Sequence, residues 1–326
     1  MPLTPDQFET HADYREMKVC VTGGAGFIGS TLTHALADLG AKVRVIDDLS
    51  QGLESNLDGL GDNVKLIKGS ILDPAALQQA LDGVQVVFHQ AALTSVPRSV
   101  AEPALYHEVN TTGTFRLLEA ARKHGVRRIV AASSSSVYGE QAQSPKVETM
   151  RPDPKSPYAV SKITGEHLLS AWANCYDLST IALRYFNIFG PHQRPDSPYA
   201  AVIPKFAIAM LQGKPMTIYG DGSQTRDFTH VSNAVHANLL AGLCDKPLKG
   251  EAINVATGAT RTLSSVVEAM SEKLGVKPKL EYAPPRPGEV LHSHASIKLA
   301  NELLGYEPIV SYEQGLEDAL RYYKGE

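Results

Sequence analysis

A glycine turn set between a strand and a helix does most to restrict what this chain can fold into. Thr22-Gly-Gly-Ala-Gly-Phe-Ile-Gly29 follows the apolar run Lys18-Val-Cys-Val-Thr22 and precedes Thr31-Leu-Thr-His-Ala-Leu-Ala-Asp-Leu39, which reads as a helix. Gly23, Gly26 and Gly29 permit a tight turn and close backbone approach to a pyrophosphate, which would meet the positive end of the helix dipole. A second strand, Lys42-Val-Arg-Val-Ile46, ends in Asp47, whose carboxylate can accept from adenosine ribose hydroxyls and would repel a 2′-phosphate. Asp48-Leu-Ser-Gln-Gly52 holds no basic residue to receive such a phosphate, so the pattern points to NAD rather than NADP.

Strand and helix patterns then alternate, as an α/β fold with a doubly wound parallel (Rossmann) sheet requires. Candidate strands are Val64–Lys68, Val84–Phe88, Arg128–Ala132 and Thr180–Arg184. Ligands of such sheets bind beyond the carboxyl ends of the strands, where Ser133-Ser-Ser-Ser136, His89-Gln-Ala-Ala92 and Tyr185-Phe-Asn187 fall. From Gly190 onward prolines and glycines thicken, which reads as a smaller lobe closing over the sheet edge. The helical Val231–Leu243 and the strand-like Glu251-Ala-Ile-Asn-Val255 are expected to return to the first lobe. The expected division is a polar N-terminal extension, 1–16, and an NAD-binding Rossmann domain, 17–189 with 229–258 returning to it. The interleaved substrate-binding lobe is 190–228 and 259–326.

The chemistry is carried by Tyr158-Ala-Val-Ser-Lys162. Residues four apart share a helix face, so Lys162 stands one turn from the Tyr158 phenol, and its ammonium would favour the phenolate of a group that otherwise titrates near ~10. A tyrosine activated in this way is a general base for a hydroxyl proton.

At 326 residues and 43% hydrophobic, the chain can bury a large core. Its net charge of -4 gives no reason to expect nucleic acid or an anionic membrane as partner. No leader or spanning segment is visible, and Cys20, Cys175 and Cys244 read as reduced, buried thiols of a cytoplasmic protein. The histidines His89, His192, His230 and His236 are scattered and read as caps or core residues, so no metal site is expected.

Six ordered motifs resemble the nucleotide-sugar 4-epimerase branch of the extended short-chain dehydrogenase/reductases. They are Gly-Gly-Ala-Gly-Phe-Ile-Gly, the serines before Val137-Tyr-Gly139, Ser156-Pro-Tyr-Ala-Val-Ser-Lys162, Leu183-Arg-Tyr-Phe-Asn187, Arg226-Asp-Phe228 and Arg286-Pro-Gly-Glu289. Within the branch the chain is most similar to UDP-N-acetylglucosamine 4-epimerases, through Asn187-Ile-Phe-Gly-Pro-His-Gln-Arg-Pro195 and Tyr199-Ala-Ala-Val-Ile-Pro-Lys205.

The resemblance implies that Tyr158 takes the sugar 4-hydroxyl proton, that Lys162 also holds the nicotinamide ribose, and that Ser134 hydrogen-bonds the same sugar oxygen, its neighbours Ser133, Ser135 and Ser136 leaving that register open by one position. Hydride would pass to a tightly retained NAD and return to the other face of a 4-ketose. The implied cofactor groove takes in Gly23, Gly26, Phe27, Ile28 and Gly29, then Asp47, Asp48, Ser70 and Ile71. It continues through Gln90, Ala91, Ala92, Thr94, Asn110, Ser133 and Tyr185, with Phe186 near the nicotinamide. On the substrate side stand Arg226 and Arg286 for the diphosphate, Asn187 and Gln193 beside it, Glu289 for the uridine ribose, and Ala201, Val202 and Tyr219 flanking uracil.

Ser293 stands where glucose-restricted relatives resemble one another in a large tyrosine, and Thr94 replaces a lysine found in some of them. Both favour the acetamido sugars UDP-GlcNAc/UDP-GalNAc, with UDP-glucose/UDP-galactose also accepted. Arg194, in Gly190-Pro-His-Gln-Arg-Pro195, supports the alternative of a UDP-glucuronate 4-epimerase, and a catalytically silent NAD and nucleotide-sugar binder is the alternative of another class. The resemblance also implies a homodimer, paired through helices at about 104–124 and 158–175 into a four-helix bundle.

Overall fold

The computed structural model describes residues 13–195, 201–284 and 291–326. In chain order β1 (Lys18–Thr22), α1 (Phe27–Asp38), β2 (Lys42–Asp47), β3 (Val64–Lys68), α2 (Pro74–Leu81) and β4 (Val86–His89) make the first half of a parallel sheet. There follow α3 (Val96–Ala101), α4 (Pro103–Tyr106), a π-helical segment His107–Thr112, α5 (Gly113–Lys123), β5 (Arg128–Ser134), α6 (Pro157–Tyr176) and β6 (Ser179–Tyr185). The remainder is β7 (Ile188–Phe189), α7 (Val202–Leu211), β8 (Met216–Tyr219), β9 (Thr225–Arg226), β10 (Thr229–His230), α8 (Val231–Leu243), β11 (Lys249–Val255) and β12 (Arg261–Thr262). It ends with α9 (Leu263–Leu274), β13 (Leu280–Ala283), β14 (His292–Ser293), α10 (Lys298–Leu304) and α11 (Tyr312–Lys324).

Seven parallel strands form the main sheet in the order β11-β6-β5-β4-β1-β2-β3. Successive strands run outward from β1 in both directions, so β1 and β4 flank the switch point and open a crevice at their carboxyl ends. The central strands carry apolar runs because helices cover both faces, and side chains alternate between two cores. Val19 and Val21 of β1 pack with Leu32, Leu36, Phe88, Val130 and the α8 residues Ala234 and Leu239. Cys20, between them, joins Ile46, Leu77, Leu81, Val87, Leu117 and Leu169 on the other face. Each such aliphatic side chain contributes roughly 1.5–3 kcal/mol on burial.

The later part of the chain builds a third core from Phe189, Phe206, Met216, Ile218, Phe228, Met270, Leu316 and Leu320. There β9 lies between antiparallel β12 and parallel β14, while β8 pairs with β13. Among the described residues no helix is long and apolar enough to cross a membrane.

Three expectations need correction. The first helix starts at Phe27, inside the glycine motif, rather than at Thr31. Cys175 is exposed and Cys244 half-buried, leaving Cys20 as the buried thiol, because Cys175 lies on the solvent side of α6. Within the N-terminal extension Tyr14 is fully buried against Phe88 and donates to the Leu239 carbonyl, so the residues just before β1 belong to the core.

Candidate active site

The crevice is bounded first by the glycine turn. Gly23 adopts φ +67°, and a Cβ there would stand 2.7 Å from the Ala91 backbone; at Gly29 it would stand 2.1 Å from the Gly23 carbonyl oxygen. These glycines let β1, β4 and α1 approach closely. Gly26 caps α1 without any side-chain acceptor, so amides of the first turn around Phe27 and Ile28 stay available to an anion at the helix N-terminus. That arrangement fits a pyrophosphate-bearing dinucleotide.

The Asp47 carboxylate braces the turn, accepting from the amides of Ala25 (3.0 Å) and Leu49 (2.8 Å). Burial pushes its pKa up and those amides oppose the shift. Asp48 is exposed and accepts from the Ser50 amide. Ser70 accepts from the Leu72 amide at 3.2 Å, and Ile71 is buried against Gly113, where an added Cβ would meet its Cδ1 at 2.6 Å.

Behind the turn, Thr22 Oγ1 lies 2.7 Å from His89 Nδ1 and accepts from the Ala91 amide, while His89 Nε2 lies 2.9 Å from Thr114 Oγ1. Gln90 bridges Asn238 of α8 and the Tyr185 hydroxyl at 3.0 and 3.1 Å. Ala92 is half-buried and Thr94 exposed. Asn110, in the π-helical segment, fastens the loop after β4 to α6: its amide group accepts from Leu93 N and donates to Leu93 O and Ser161 Oγ.

The catalytic candidates converge where β5 ends and α6 begins. Ser156 accepts from the Ala159 amide and Pro157 takes the first helical position, so helix α6 starts one residue before Tyr158. Tyr158 is 8% exposed, with its ring edge-on to Tyr106 and its hydroxyl hydrogen-bonded to Ser134. Burial pushes the phenol up to about 12, against the effect of the Ser134 hydrogen bond.

Lys162 donates to the Ala132 carbonyl at 2.8 Å and its Nζ stands 6.0 Å from the centre of the Tyr158 ring. The ammonium thus stands over the Tyr158 ring while its hydrogen bond goes to the Ala132 carbonyl. Burial brings Lys162 down to about 8, with Glu166 opposing the shift. Ser133, expected at the cofactor, turns its hydroxyl inward to Glu166, the buried partner of Arg184. The short 3-10 turn Ser135–Tyr138 follows, and the Ser136 hydroxyl is buried without a protein partner. Phe186, expected near the nicotinamide, packs beside Tyr138 in a small core.

Two residues past the end of β6, Asn187, at φ +38°, donates to the Asp227 carbonyl at 2.9 Å and to Ser293 Oγ at 3.4 Å. Ser293 sits opposite Arg226 in the β9–β14 pair, so Asn187, Arg226 and Ser293 form one group. Arg226 donates to the carbonyls of Thr225 and Leu291. Gln193 donates to the Ile188 carbonyl and its Oε1 is buried without a protein partner. Ala201 precedes α7 as a cap without a side-chain hydrogen bond, Val202 is the first residue of the helix, and the Tyr219 carbonyl accepts from Gln224. Arg286 and Glu289 lie outside the described residues.

Sequence reasoning passed over Asp227, whose buried carboxylate accepts from Thr257 N and Oγ1 and from Gly258 N, holding the strand that presents Arg226. Its place inside Arg226-Asp-Phe228 was a usable signal. It also passed over Glu166, one turn beyond Lys162.

Residues 19–256 match the NAD dependent epimerase/dehydratase family. A UDP-glucose 4-epimerase of Mycolicibacterium smegmatis is 38% identical over 94% of this chain and 99% of its own length. Among solved structures, a UDP-N-acetylglucosamine 4-epimerase from Methanobrevibacter ruminantium in complex with UDP-N-acetylmuramic acid superposes with TM-score 0.91 at 39% identity, covering 95% of this chain and 99% of that one. A UDP-glucuronic acid 4-epimerase from Bacillus cereus in complex with UDP-glucuronic acid and NAD gives TM-score 0.87 at 33% identity, with 95% and 99% covered. The glycine turn, the Tyr158–Lys162 helix and these likenesses along nearly the whole chain lead to one conclusion: the chain belongs to the NAD dependent epimerase/dehydratase family.

Proposed function

We propose that the protein is an NAD-dependent UDP-hexose 4-epimerase, acting mainly on UDP-GlcNAc/UDP-GalNAc and also on UDP-glucose/UDP-galactose. The observation that carries this reading is the convergence of Tyr158, Ser134 and Lys162 where β5 ends and α6 begins, with a second polar group of Asn187, Arg226 and Ser293 starting two residues beyond the paired end of β6. Residues 17–189 with 229–258 hold the cofactor in this reading, and 190–228 with 259–326 hold the nucleotide sugar.

Bound NAD supplies the acceptor and donor of the C4 hydride. The glycine turn and the uncapped N-terminus of α1 receive its pyrophosphate, and Asp47 closes the adenosine side. Ser134 orients the sugar 4-hydroxyl and Tyr158 Oη takes its proton, leaving a 4-ketose. The phenol returns the proton once the ketose has turned its other face. Because burial disfavours the phenolate, Tyr158 needs positive charge close by, and Lys162 is the chain's own source of it. Ser293 is small and buried beside Asn187, which leaves the C2 side of the sugar room for an acetamido group. Arg226 supplies a planar fork for the diphosphate.

The proposal includes a homodimer through α5 and α6. Leu117, Leu118 and Leu169 point into the subunit core, whereas Phe115 and Tyr176 are exposed beside Trp172, and Val160 is exposed nearer the start of α6. An aromatic patch of this kind fits a symmetric partner.

Tyr158→Phe tests the base: turnover falls about 10²–10⁴-fold, the usual contribution of a positioned acid–base group, while NAD remains bound on purification. Full activity in this variant would remove Tyr158 from the mechanism. Retained NAD with no turnover of any UDP-sugar by the unmodified protein would instead favour a silent binder, and conversion of UDP-glucuronate alone would transfer the assignment to Arg194.

A further inference from the structure

We propose that Glu166 is a positioning residue for the reaction, and that its carboxylate, held by Arg184, keeps Lys162 positively charged inside the protein. The catalytic meaning of this rests on the epimerase reading above. Tyr158, Lys162 and Glu166 are spaced by four and lie along one face of α6. Glu166 is buried, and its two oxygens meet Arg184 Nε at 2.9 Å and Nη2 at 2.7 Å. Oε1 accepts from Ser133 as well, so the carboxylate cannot swing away. Lys162, Glu166 and Ser133 line one small enclosed cavity with Asn110 and His89.

Lys162 itself hydrogen-bonds the Ala132 carbonyl, which carries no charge. The groups around it from neighbouring elements are also uncharged or repulsive. From β4 it meets His89, which burial keeps neutral; on its own helix it meets the protonated Tyr158 phenol. From α4 Tyr106 lies edge-on to Tyr158, the π-helical segment brings the Asn110 amide, and from β6 comes Arg184, a cation that stands behind Glu166. A buried ammonium in such surroundings would lose its proton without an anion near it. Glu166 is the group that opposes the burial of Lys162. An ion pair placed there for fold stability alone would be replaceable by apolar residues of similar volume without any effect on Lys162.

The test is the pH titration of Lys162, followed by NMR of protein labelled at lysine Cε and purified with its bound nucleotide, with Lys162→Met assigning the signal. Glu166→Gln is expected to lower the Lys162 midpoint by about one pH unit or more, a tenfold change in its proton affinity. Because Glu166→Gln leaves Arg184 unpaired, the double variant Glu166→Leu/Arg184→Met is measured beside it and is expected to melt closer to the unmodified protein. Its Lys162 midpoint should nevertheless stay low, and the alkaline limb of kcat should move down with it, while Glu166→Asp keeps the midpoint near the original. A Lys162 midpoint unchanged in the folded double variant would overturn the inference. If the unmodified protein turns over no UDP-sugar, the epimerase reading falls, and the titration still decides whether Glu166 holds the charge.

Discussion

Tyr158 and Lys162 are displaced in opposite directions by one cause. Withdrawal from water disfavours the charged form, so the phenol rises to about 12 and the ammonium drops to about 8, each toward its neutral state. His89 shows the same effect in a residue with no proposed chemistry. Thr114 donates to the Asn110 carbonyl and so accepts from His89 Nε2, which assigns Nδ1 as acceptor from Thr22. Burial first, and the nearby Lys162 second, push His89 down to about 3, so it folds neutral. A folded pKa below the unfolded value of ~6.5 gives stability that is complete above that pH and lost as pH falls toward 3. Urea unfolding at pH 7 and pH 4.5 is therefore expected to show His89→Gln losing less stability between the two than the unmodified protein. The Tyr158–Lys162 spacing was legible because it is local to one helix. The Ala132 acceptor of Lys162 and the inward turn of Ser133 were not, since both depend on how β5 packs against α6.

At the level of elements, the strands of the sheet could be read from apolar runs because both of their faces are covered. The end of the first strand and the start of α1 were fixed by the glycines between them. Tyr14 was not legible, standing among polar residues with its packing partners 74 and 225 positions away. It fills the gap between β4 and α8 left by Gly242, where an added Cβ would stand 2.1 Å from the Tyr14 hydroxyl and 2.8 Å from Phe88. Gly242→Ala should cost about 1–3 kcal/mol by overpacking, and Tyr14→Phe about 1 kcal/mol through its lost hydrogen bond to Leu239. Since both act on the same contact, the double variant should lose less than the sum of the two in denaturant titrations. Strict additivity would show that Tyr14 does not hold α8 in this way. The π-helical segment His107–Thr112 also escaped the sequence, which shows 104–124 as one helix; the extra residue in its turn is what brings Asn110 to Leu93 and Ser161.

For the whole molecule, β11 and α8 return from the later part of the chain to the first sheet and its core, while β14 delivers Ser293 beside Asn187. The substrate side is thus assembled from segments more than 100 positions apart, which periodicity cannot pair. If α5 and α6 form the subunit contact, introducing charge with Phe115→Glu and Val160→Glu should convert a dimer to a monomer in light scattering while the far-ultraviolet circular dichroism is kept. A dimer that survives both changes would place the contact elsewhere. The central claim is that hydride leaves and returns to the same sugar carbon inside a closed crevice. It is tested most directly by NMR of UDP-GlcNAc deuterated at C4, incubated with the purified protein and no added NAD. The account predicts UDP-GalNAc that retains its deuterium at C4; epimerisation with deuterium lost to solvent, or no epimer at all, would contradict it.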